Sequence, residues 1–235
     1  MDALQGVAEV YGMKININKT KTMRVSRNGG ETVDILIEGQ KVEQVKKFKY
    51  LGAWITEDGR CEVDIRTRIA IAKDAFTKRK ELLSRRMKLI TKKRIIKTVI
   101  WSVLLYGAET WSLRKEDVRR LEAFEMWIWR RIEKISYTEH ITNEEVLNRV
   151  SETRVLIETI LRRKKNWIGH VLRGEGMMKE IIEGKFNGRK GRGRSRIGML
   201  DDLKEGGTYD VMKRKASDRE LWRNWTPRTC HLAEH

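Results

Sequence analysis

The sequence predicts an α+β fold in which a short region of strands precedes a longer region of helices. Before residue 50, apolar residues alternate with polar ones, as at Val33, Ile35 and Ile37, which is the period of a half-buried strand. After residue 60 the apolar spacing becomes three and four, the period of a helix. We therefore expect a small antiparallel sheet followed by a mainly α-helical remainder.

The chain is strongly basic, and its charge is concentrated. It has 235 residues, with 51 Lys and Arg against 33 Asp and Glu, a formal net charge of +18. Residues 60–97 hold fourteen basic and four acidic side chains, and residues 185–196 hold six basic and no acidic ones. This distribution favours a polyanionic partner over a small acidic substrate.

Three features indicate the compartment. The two cysteines, Cys61 and Cys230, are far apart in sequence and indicate neither a disulfide framework nor a zinc site. The longest apolar run, residues 99–106, is far shorter than the ~20 residues that cross a bilayer. No secretory signal is evident at the N-terminus. We expect an intracellular protein, nuclear or cytoplasmic, that is not secreted and has no membrane partner.

The N-terminal elements are predicted from local patterns. An apolar face ends at Gly12, which favours a helix that stops there. Glu38 and Gly39 separate two alternating runs, which predicts a hairpin turn. The expected elements are a helix over 2–11, strands over 14–17 and 22–26, and a hairpin joining 32–37 to 41–45.

The basic stretch is predicted to lie on helices. In a helix over 60–90, Ile65, Ile69, Ala72 and Phe76 form one apolar face. The excess of basic side chains leaves too few acids for intrahelical pairs, which favours contact with phosphates over a merely solvated face. Further helices are expected over 91–106, capped by Thr91, and over 113–134.

Aromatic and basic residues mark the later helices. Trp127 and Trp129 fall beside an apolar stripe, and helix packing is favoured there over stacking on nucleic-acid bases. Thr142 begins a capping-box pattern, and a longer helix is expected over 152–172. The run 184–196, GKFNGRKGRGRSR, combines glycine with arginine, and phosphate contact is favoured there over a merely flexible basic linker.

Several motifs together resemble the reverse transcriptases of non-LTR (LINE-type) retrotransposons. The resemblance extends from roughly residue 10 to residue 205. The matching stretches are YGMKININKTK (11–21), FKYLG (48–52), EDGR (57–60), WSVLLYGAETW (101–111), LEAFEMW (121–127), TNEEVL (142–147) and WIGHVLR (167–173).

This resemblance implies a domain order and several residue roles. It implies a palm remnant over 1–58, a helical thumb over 59–135 and a helical basic C-terminal domain over 136–235. Tyr50, Leu51 and Gly52 match the primer grip that leads into the thumb, and we expect Tyr50 and Leu51 to pack between the sheet and the first thumb helix. Lys19 matches a lysine beside the departing pyrophosphate, although a surface lysine on a strand connection is the favoured interpretation here.

The family's catalytic motif is missing. Its polymerase centre clamps two Mg²⁺ ions with an earlier aspartate and a Tyr-x-Asp-Asp strand, and no such strand occurs in this sequence. The resemblance begins just after the position of that strand. The Asp201-Asp202 pair is interpreted as a solvated helix start. We therefore expect no catalytic residue, no metal site and no cofactor in this chain, and no polymerisation by it alone.

The predicted function is binding of RNA, RNA–DNA hybrid or duplex DNA through phosphates, as a fragment of an RNA-directed DNA polymerase. The alternative is a non-enzymatic, host-adopted or relic helical protein that acts through protein contacts. Oligomeric state is not predicted. The candidate binding residues are Lys19, Tyr50, Leu51, Gly52, Arg66, Arg68, Lys73, Lys78, Arg79, Lys80, Arg85, Arg86, Lys92, Lys93, Arg162, Arg163, Lys164, Arg189, Lys190, Arg192, Arg194 and Arg196.

Overall fold

Short strands followed by helices make up the chain, and the α+β prediction is confirmed. The computed structural model describes residues 2–25, 32–84, 86–184, 197–204 and 207–227. The chain divides into two compact units, Met1–Arg66 and Thr67–His235. The domain boundaries expected near residues 58 and 135 stay predictions.

The first unit begins with a helix, α1, over Asp2–Val10, and Gly12 follows it with a φ of +66°. The expectation of a helix that stops at this glycine is therefore confirmed. The strand expected over 14–17 is wrong. The Asn16 side chain accepts the backbone N–H of Lys19 at 3.1 Å, which closes a turn instead.

The described strands pair as three separate two-stranded sheets. One pair is parallel, with Lys21 opposite Glu43, and the other two are antiparallel. Most of these strands have only two residues. The strands are β1 Lys21–Thr22, β2 Leu36–Ile37, β3 Gln40–Lys41, β4 Glu43–Gln44, β5 Lys47–Tyr50 and β6 Ala53–Thr56.

Two tight turns set the register of the antiparallel pairs. Glu38 and Gly39 have φ values of +51° and +73°, and they join β2 to β3 as predicted. Leu51 and Gly52, at +48° and +87°, join β5 to β6 in the same way. Two successive positive φ values are typical of a type I′ turn, whose twist matches that of the paired strands.

The first long helix, α2, covers Glu62–Lys78 and is shorter than predicted. Its end has a local cause: the Arg79 guanidinium donates to the Ala75 carbonyl at 2.8 Å and so satisfies one carbonyl of the last turn. A 3-10 turn follows over Lys80–Leu83. The next helix begins at Leu89 after Lys88, so the expectation that Thr91 caps it is wrong.

The remaining helices belong to the second unit. Ile96, Ile100 and Leu104 are fully buried, as the apolar pattern predicted. The helices are α3 Leu89–Ile95, a π-helical turn Ile96–Ile100, α4 Trp101–Leu104, α5 Lys115–Glu133, α6 Asn143–Val150, α7 Leu156–Arg173, α8 Met177–Glu183, α9 Asp201–Lys204, α10 Tyr209–Ser217 and α11 Arg219–Asn224.

Helix α7 is central to the C-terminal part of the core. It packs against α5, α8, α9 and α10. At Gly169 the backbone of α7 comes so close to Trp222 that a Cβ atom would lie 2.2 Å from the indole nitrogen. The indole N–H donates to the Lys165 carbonyl at 3.2 Å, which fixes the ring in this position. The buried cluster consists of Ile168, Leu172, Leu203, Met212, Ala216 and Trp222.

Candidate nucleic-acid interface

The strongest candidate site lies at the C-terminal end of α5. The apolar stripe of this helix buries Leu121, Phe124 and Ile128, and Trp129 is also fully buried. Trp127 lies beside that stripe and is only partly buried. Its position leaves part of the indole at the surface, near one basic residue of α5 and one of α2.

Aromatic contacts fix the Trp127 ring. Phe124 stacks against it with ring centroids 6.1 Å apart and planes 15° apart, and Phe76 of α2 meets it edge-on at 5.4 Å. Two cations approach the same ring: the Lys73 ammonium lies 5.2 Å and the Arg131 guanidinium 4.9 Å from its centroid. Cation–π attraction therefore holds both charges near one indole.

The chain after α5 folds back over the helix end. Lys134 takes the left-handed conformation, with a φ of +57°, and ends the helix. The Arg130 guanidinium then donates to the Ile141 carbonyl at 2.6 Å and to the Asn143 side-chain oxygen at 3.0 Å. Thr142 caps α6 by accepting the Glu145 backbone N–H, as predicted. These bonds hold the loop between α5 and α6 in place.

A cavity of about 750 Å³ opens between the end of α5 and this loop. We call it, together with Lys73, the Trp127 pocket. Three of the residues that line the cavity itself are cationic and none is acidic. Such a concave site with apolar walls and several convergent cations is suited to an anion that also has an apolar part. The lining residues are Trp127, Arg130, Arg131, Lys134, Ile135, Ser136, His140 and Ile141.

Of the predicted binding residues, only Lys73 is placed at the Trp127 pocket by the described contacts. Lys80, Arg86 and Arg162 are exposed, and no ion pair is found for them within the described residues. Arg79 is partly buried and serves as the helix-ending donor. Lys80, Arg86 and Arg162 are therefore accessible to solvent, but they do not line the cavity.

Apart from Lys164, four predicted residues are paired with acids. Arg66 lies 2.8 Å from Glu62, and Lys78 lies 2.7 Å from Asp74, both one turn apart on α2. The expectation that α2 lacks acids for intrahelical pairing is therefore wrong for these two positions. Acids distant in sequence neutralise two more: Lys93 lies 3.5 Å from Glu152, and Arg163 lies 2.6 Å from Glu109.

Lys164 is a clear correction to the predicted binding surface. Its side chain is 0% exposed, and its ammonium donates to Asp202 at 2.7 Å and to the Trp111 carbonyl at 2.5 Å. It therefore presents no charge to a phosphate. Asp202 is itself buried, so the interpretation of it as a solvated residue is also wrong.

Two other predicted cations are buried. Lys92 is largely inaccessible. Arg68 is equally buried, with its guanidinium 4.4 Å from the centre of the Tyr106 ring. Burial of a cation requires compensating contacts, and a bound phosphate would have to displace them. Neither residue forms part of an open binding surface.

The Tyr-Leu-Gly motif occupies an exposed hairpin tip. Tyr50 is 58% and Leu51 75% exposed, so the expectation that both pack in a core is wrong. Leu51 and Gly52 are turn residues, which explains why the side chains project from the end of the β5–β6 ribbon. Lys19 is exposed on a turn, as its favoured interpretation predicted.

Six predicted residues lie outside the described residues. One of them follows the 3-10 turn, and the other five belong to the glycine-arginine run. They are Arg85, Arg189, Lys190, Arg192, Arg194 and Arg196.

Sequence reasoning missed most of the Trp127 pocket. The packing expected of Trp127 is confirmed, because its ring contacts Phe76 and Phe124. The predicted binding residues do not include Arg130, Arg131 or Lys134, which line the cavity. The available signal was local: two arginines follow Trp127 at the third and fourth positions, which places them on its side of a helix. No sequence pattern of this kind indicates that the loop between α5 and α6 folds back so that Ile141 contacts Arg130.

One buried carboxyl near the pocket helix has an altered acidity. Glu125 is almost fully buried on α5, and one of its oxygens accepts the Val155 backbone N–H at 3.3 Å. Burial raises its pKa from 4.5 to about 7, although the bonds from Val155 and Leu156 oppose that rise. The group faces the start of α7 and lies outside the cavity lining.

The two adjacent aspartates do not fit a metal site. Asp202 is bound to Lys164, and Asp201 accepts the Lys204 ammonium at 2.9 Å and the Gly198 backbone N–H at 2.5 Å. Metal binding would require both carboxylates to leave these donors. Among the described residues, no group of three or more His, Cys, Asp or Glu is arranged to hold a metal ion.

The chain is similar to a transposon-derived protein. The chain is 26% identical over 181 residues to an uncharacterized transposon-derived protein of Caenorhabditis elegans. The match covers 73% of this chain and 63% of that protein, so the chain spans less than two thirds of its relative's length. No family model matches, and no solved structure matches.

Every described helix is too short or too polar to span a membrane. The similarity to a transposon-derived protein is consistent with an origin in a mobile element.

Proposed function

We propose that the chain is a nucleic-acid-binding part of a mobile-element reverse transcriptase, and that it contacts phosphates through the Trp127 pocket. The main support for this proposal is that Arg131 and Lys134 line a cavity without an acidic lining residue. Lys73 adds a third charge, 5.2 Å from the ring of Trp127, which lines the same cavity. Cations so placed repel one another unless an anion neutralises them. The motif resemblance to LINE-type enzymes and the transposon-derived relative support a nucleic acid as that anion.

The exposed cations outside the pocket extend the proposed surface. Arg86 and Lys80 belong to the segment after α2, and Lys73 connects that helix to the pocket. The glycine-arginine run over 185–196 would add a second patch. Binding of this kind depends on phosphate charge more than on base sequence.

The proposed role is binding without catalysis. Two-metal polymerisation needs carboxylates that clamp both ions, and the sequence has no Tyr-x-Asp-Asp strand. The purified chain should therefore show no template-directed nucleotide incorporation with magnesium or manganese. Primer extension that persists after repurification would overturn this part of the proposal.

Fluorescence anisotropy tests the binding proposal. The chain is titrated onto RNA–DNA hybrid, duplex DNA and single-stranded RNA at several salt concentrations. We expect binding to each substrate, with the logarithm of the affinity falling linearly as the logarithm of the salt concentration rises. Changing Arg189, Arg192, Arg194 and Arg196 to Gln should remove about three phosphate contacts from this run and so reduce the slope on a duplex by about 2.7, at ~0.9 per contact. Absence of binding to every substrate at low salt would overturn the proposal.

A second candidate function is protein contact, and α1 favours it. Leu4, Val7 and Val10 are all well exposed along this helix, and so is Tyr11 just after it. Exposed apolar residues grouped on one element often mark interaction sites. This alternative predicts no salt-dependent nucleic-acid binding, so the same titration distinguishes it from phosphate contact.

A further inference from the structure

We infer that the Trp127 pocket takes an unpaired nucleotide, with the phosphate at its cations and the base against its apolar wall. This inference rests on the proposed function, because it names the form of nucleic acid that the same site prefers. The cavity, at about 750 Å³, has room for a small ligand. A paired duplex presents its phosphates on a convex surface and keeps its bases stacked inside.

The chemistry of the lining divides into two parts. Ile135 and Ile141 provide apolar contact, together with the exposed part of Trp127. Arg131 and Lys134 provide charge beside them. Unstacked bases in single strands are commonly held against aromatic side chains or arginine planes, while nearby cations meet the backbone. A lining that combines apolar and cationic groups suits a nucleotide better than inorganic phosphate alone.

The pocket is also held in shape without a ligand. Phe124 and Phe76 fix the Trp127 ring, and that ring in turn positions Arg131. Arg130 ties the loop to α5 through Ile141 and Asn143. A site that is already formed loses less conformational freedom when it binds its ligand.

The test compares three labelled RNAs that differ only in pairing. They are a single strand, a blunt duplex, and the same duplex with a short single-stranded overhang. At one salt concentration we expect the single strand and the overhang to bind at least about tenfold more tightly than the blunt duplex, which corresponds to 1.4 kcal/mol. Equal affinity for all three would overturn the inference while leaving the proposed function intact.

Two matched variants test whether the preference for unpaired RNA depends on the Trp127 pocket. Arg131→Gln should reduce the preference for unpaired RNA to threefold or less, whereas Arg119→Gln should leave it unchanged. Both residues are exposed on α5, and twelve residues place them about 18 Å apart along the helix. Because Arg131 is exposed, its loss should not impair folding, and thermal unfolding checks this. An equal loss on all three RNAs would make the pocket a simple phosphate contact and overturn the inference.

Competition separates the possible sources of the nucleotide. Adenosine monophosphate and inorganic phosphate are added at matched ionic strength to the complex with single-stranded RNA. Displacement by the mononucleotide but not by phosphate supports a nucleotide pocket that also accepts free ligand. Displacement by neither, with the overhang preference retained, supports a nucleotide recognised only within a strand. Displacement by both alike would overturn the inference, and absence of RNA binding altogether would overturn the proposed function.

Discussion

Two clusters of basic residues in this chain look alike in sequence and differ in structure. On α7, Arg162, Arg163, Lys164 and Lys165 are consecutive, and the last two are buried. At the end of α5, Arg130 and Arg131 are followed by Lys134, and these residues line a cavity. Lys164 has a buried acidic partner in Asp202, whereas the cavity lining contains no acid.

The role of a basic residue in this chain therefore depends more on the partner within its reach than on the residue type. A buried ammonium is tolerated only when it is paired and fully bonded. Lys165 illustrates the same rule, since its ammonium donates to the carbonyls of Arg223 and Trp225, and burial lowers its pKa. Cations without such partners stay at the surface and can bind a mobile anion.

The largest expected effect is on the buried pair. Lys164→Met should reduce the free energy of unfolding by about 3–5 kcal/mol, because it leaves the Asp202 carboxylate buried without its cation. Urea unfolding followed by circular dichroism measures this change. The matched variant Arg162→Met, at an exposed position of the same helix, should change it by less than about 0.5 kcal/mol.

A double variant sharpens that result. Lys164→Met combined with Asp202→Leu should recover most of the lost stability, since replacing both members of a buried pair by apolar groups is often neutral. Similar losses in Lys164→Met and Arg162→Met would contradict the contrast between buried and exposed cations on α7.

A buried acid without a lysine partner should make stability depend on pH. The pKa of Glu125 is 4.5 ordinarily and about 7 in the folded chain, so the folded chain holds this proton more tightly than the unfolded chain does. Protonated Glu125 therefore makes its full contribution to the free energy of unfolding below pH 4.5. That contribution is lost as pH rises through 7, by ~3 kcal/mol. Urea unfolding at a series of pH values measures it. In Glu125→Gln this decline should disappear, and an unchanged pH profile would show that Glu125 does not titrate in this way.

The packing that surrounds the buried cations can be tested at Gly169. A methyl group there would collide with the Trp222 indole, so Gly169→Ala should reduce stability by about 1–3 kcal/mol. Thermal unfolding reports this loss. In a Trp222→Leu background the same alanine should cost much less, and an equal cost in both backgrounds would place the strain elsewhere.

The smallest effect is expected at the hairpin tip. Tyr50→Ala with Leu51→Ala should change the free energy of unfolding by less than about 0.5 kcal/mol, because both side chains are largely exposed. Differential scanning calorimetry provides the measurement. A loss of about 2 kcal/mol or more would show that these residues are buried in solution.

Helices were predicted well where one apolar face repeats over many residues. The expected helix over 113–134 is α5, Lys115–Glu133, and the expected helix over 152–172 is α7, Leu156–Arg173. Their stripes repeat over several turns, so small errors at the ends do not change the assignment.

Features that depend on distant residues could not be predicted. Asp202 lies 38 residues after Lys164, and nothing in the basic run of α7 indicates which of its members turns inward. The strand expected over 14–17 failed because one side chain, Asn16, closed a turn. The Trp127 pocket required the loop between α5 and α6 to return, which the helical pattern does not encode.

The most direct test of the account is the salt dependence of RNA binding in two double variants with equal charge. Arg131→Gln with Lys134→Gln removes two pocket cations, and Lys115→Gln with Arg119→Gln removes two exposed cations from the other end of α5. Anisotropy titrations on single-stranded RNA give the slope of log affinity against log salt. We predict that the pocket variant loses about 1.4 from that slope, at ~0.7 per contact, and that the control keeps the wild-type slope. Equal slopes in both variants would contradict phosphate binding at the Trp127 pocket.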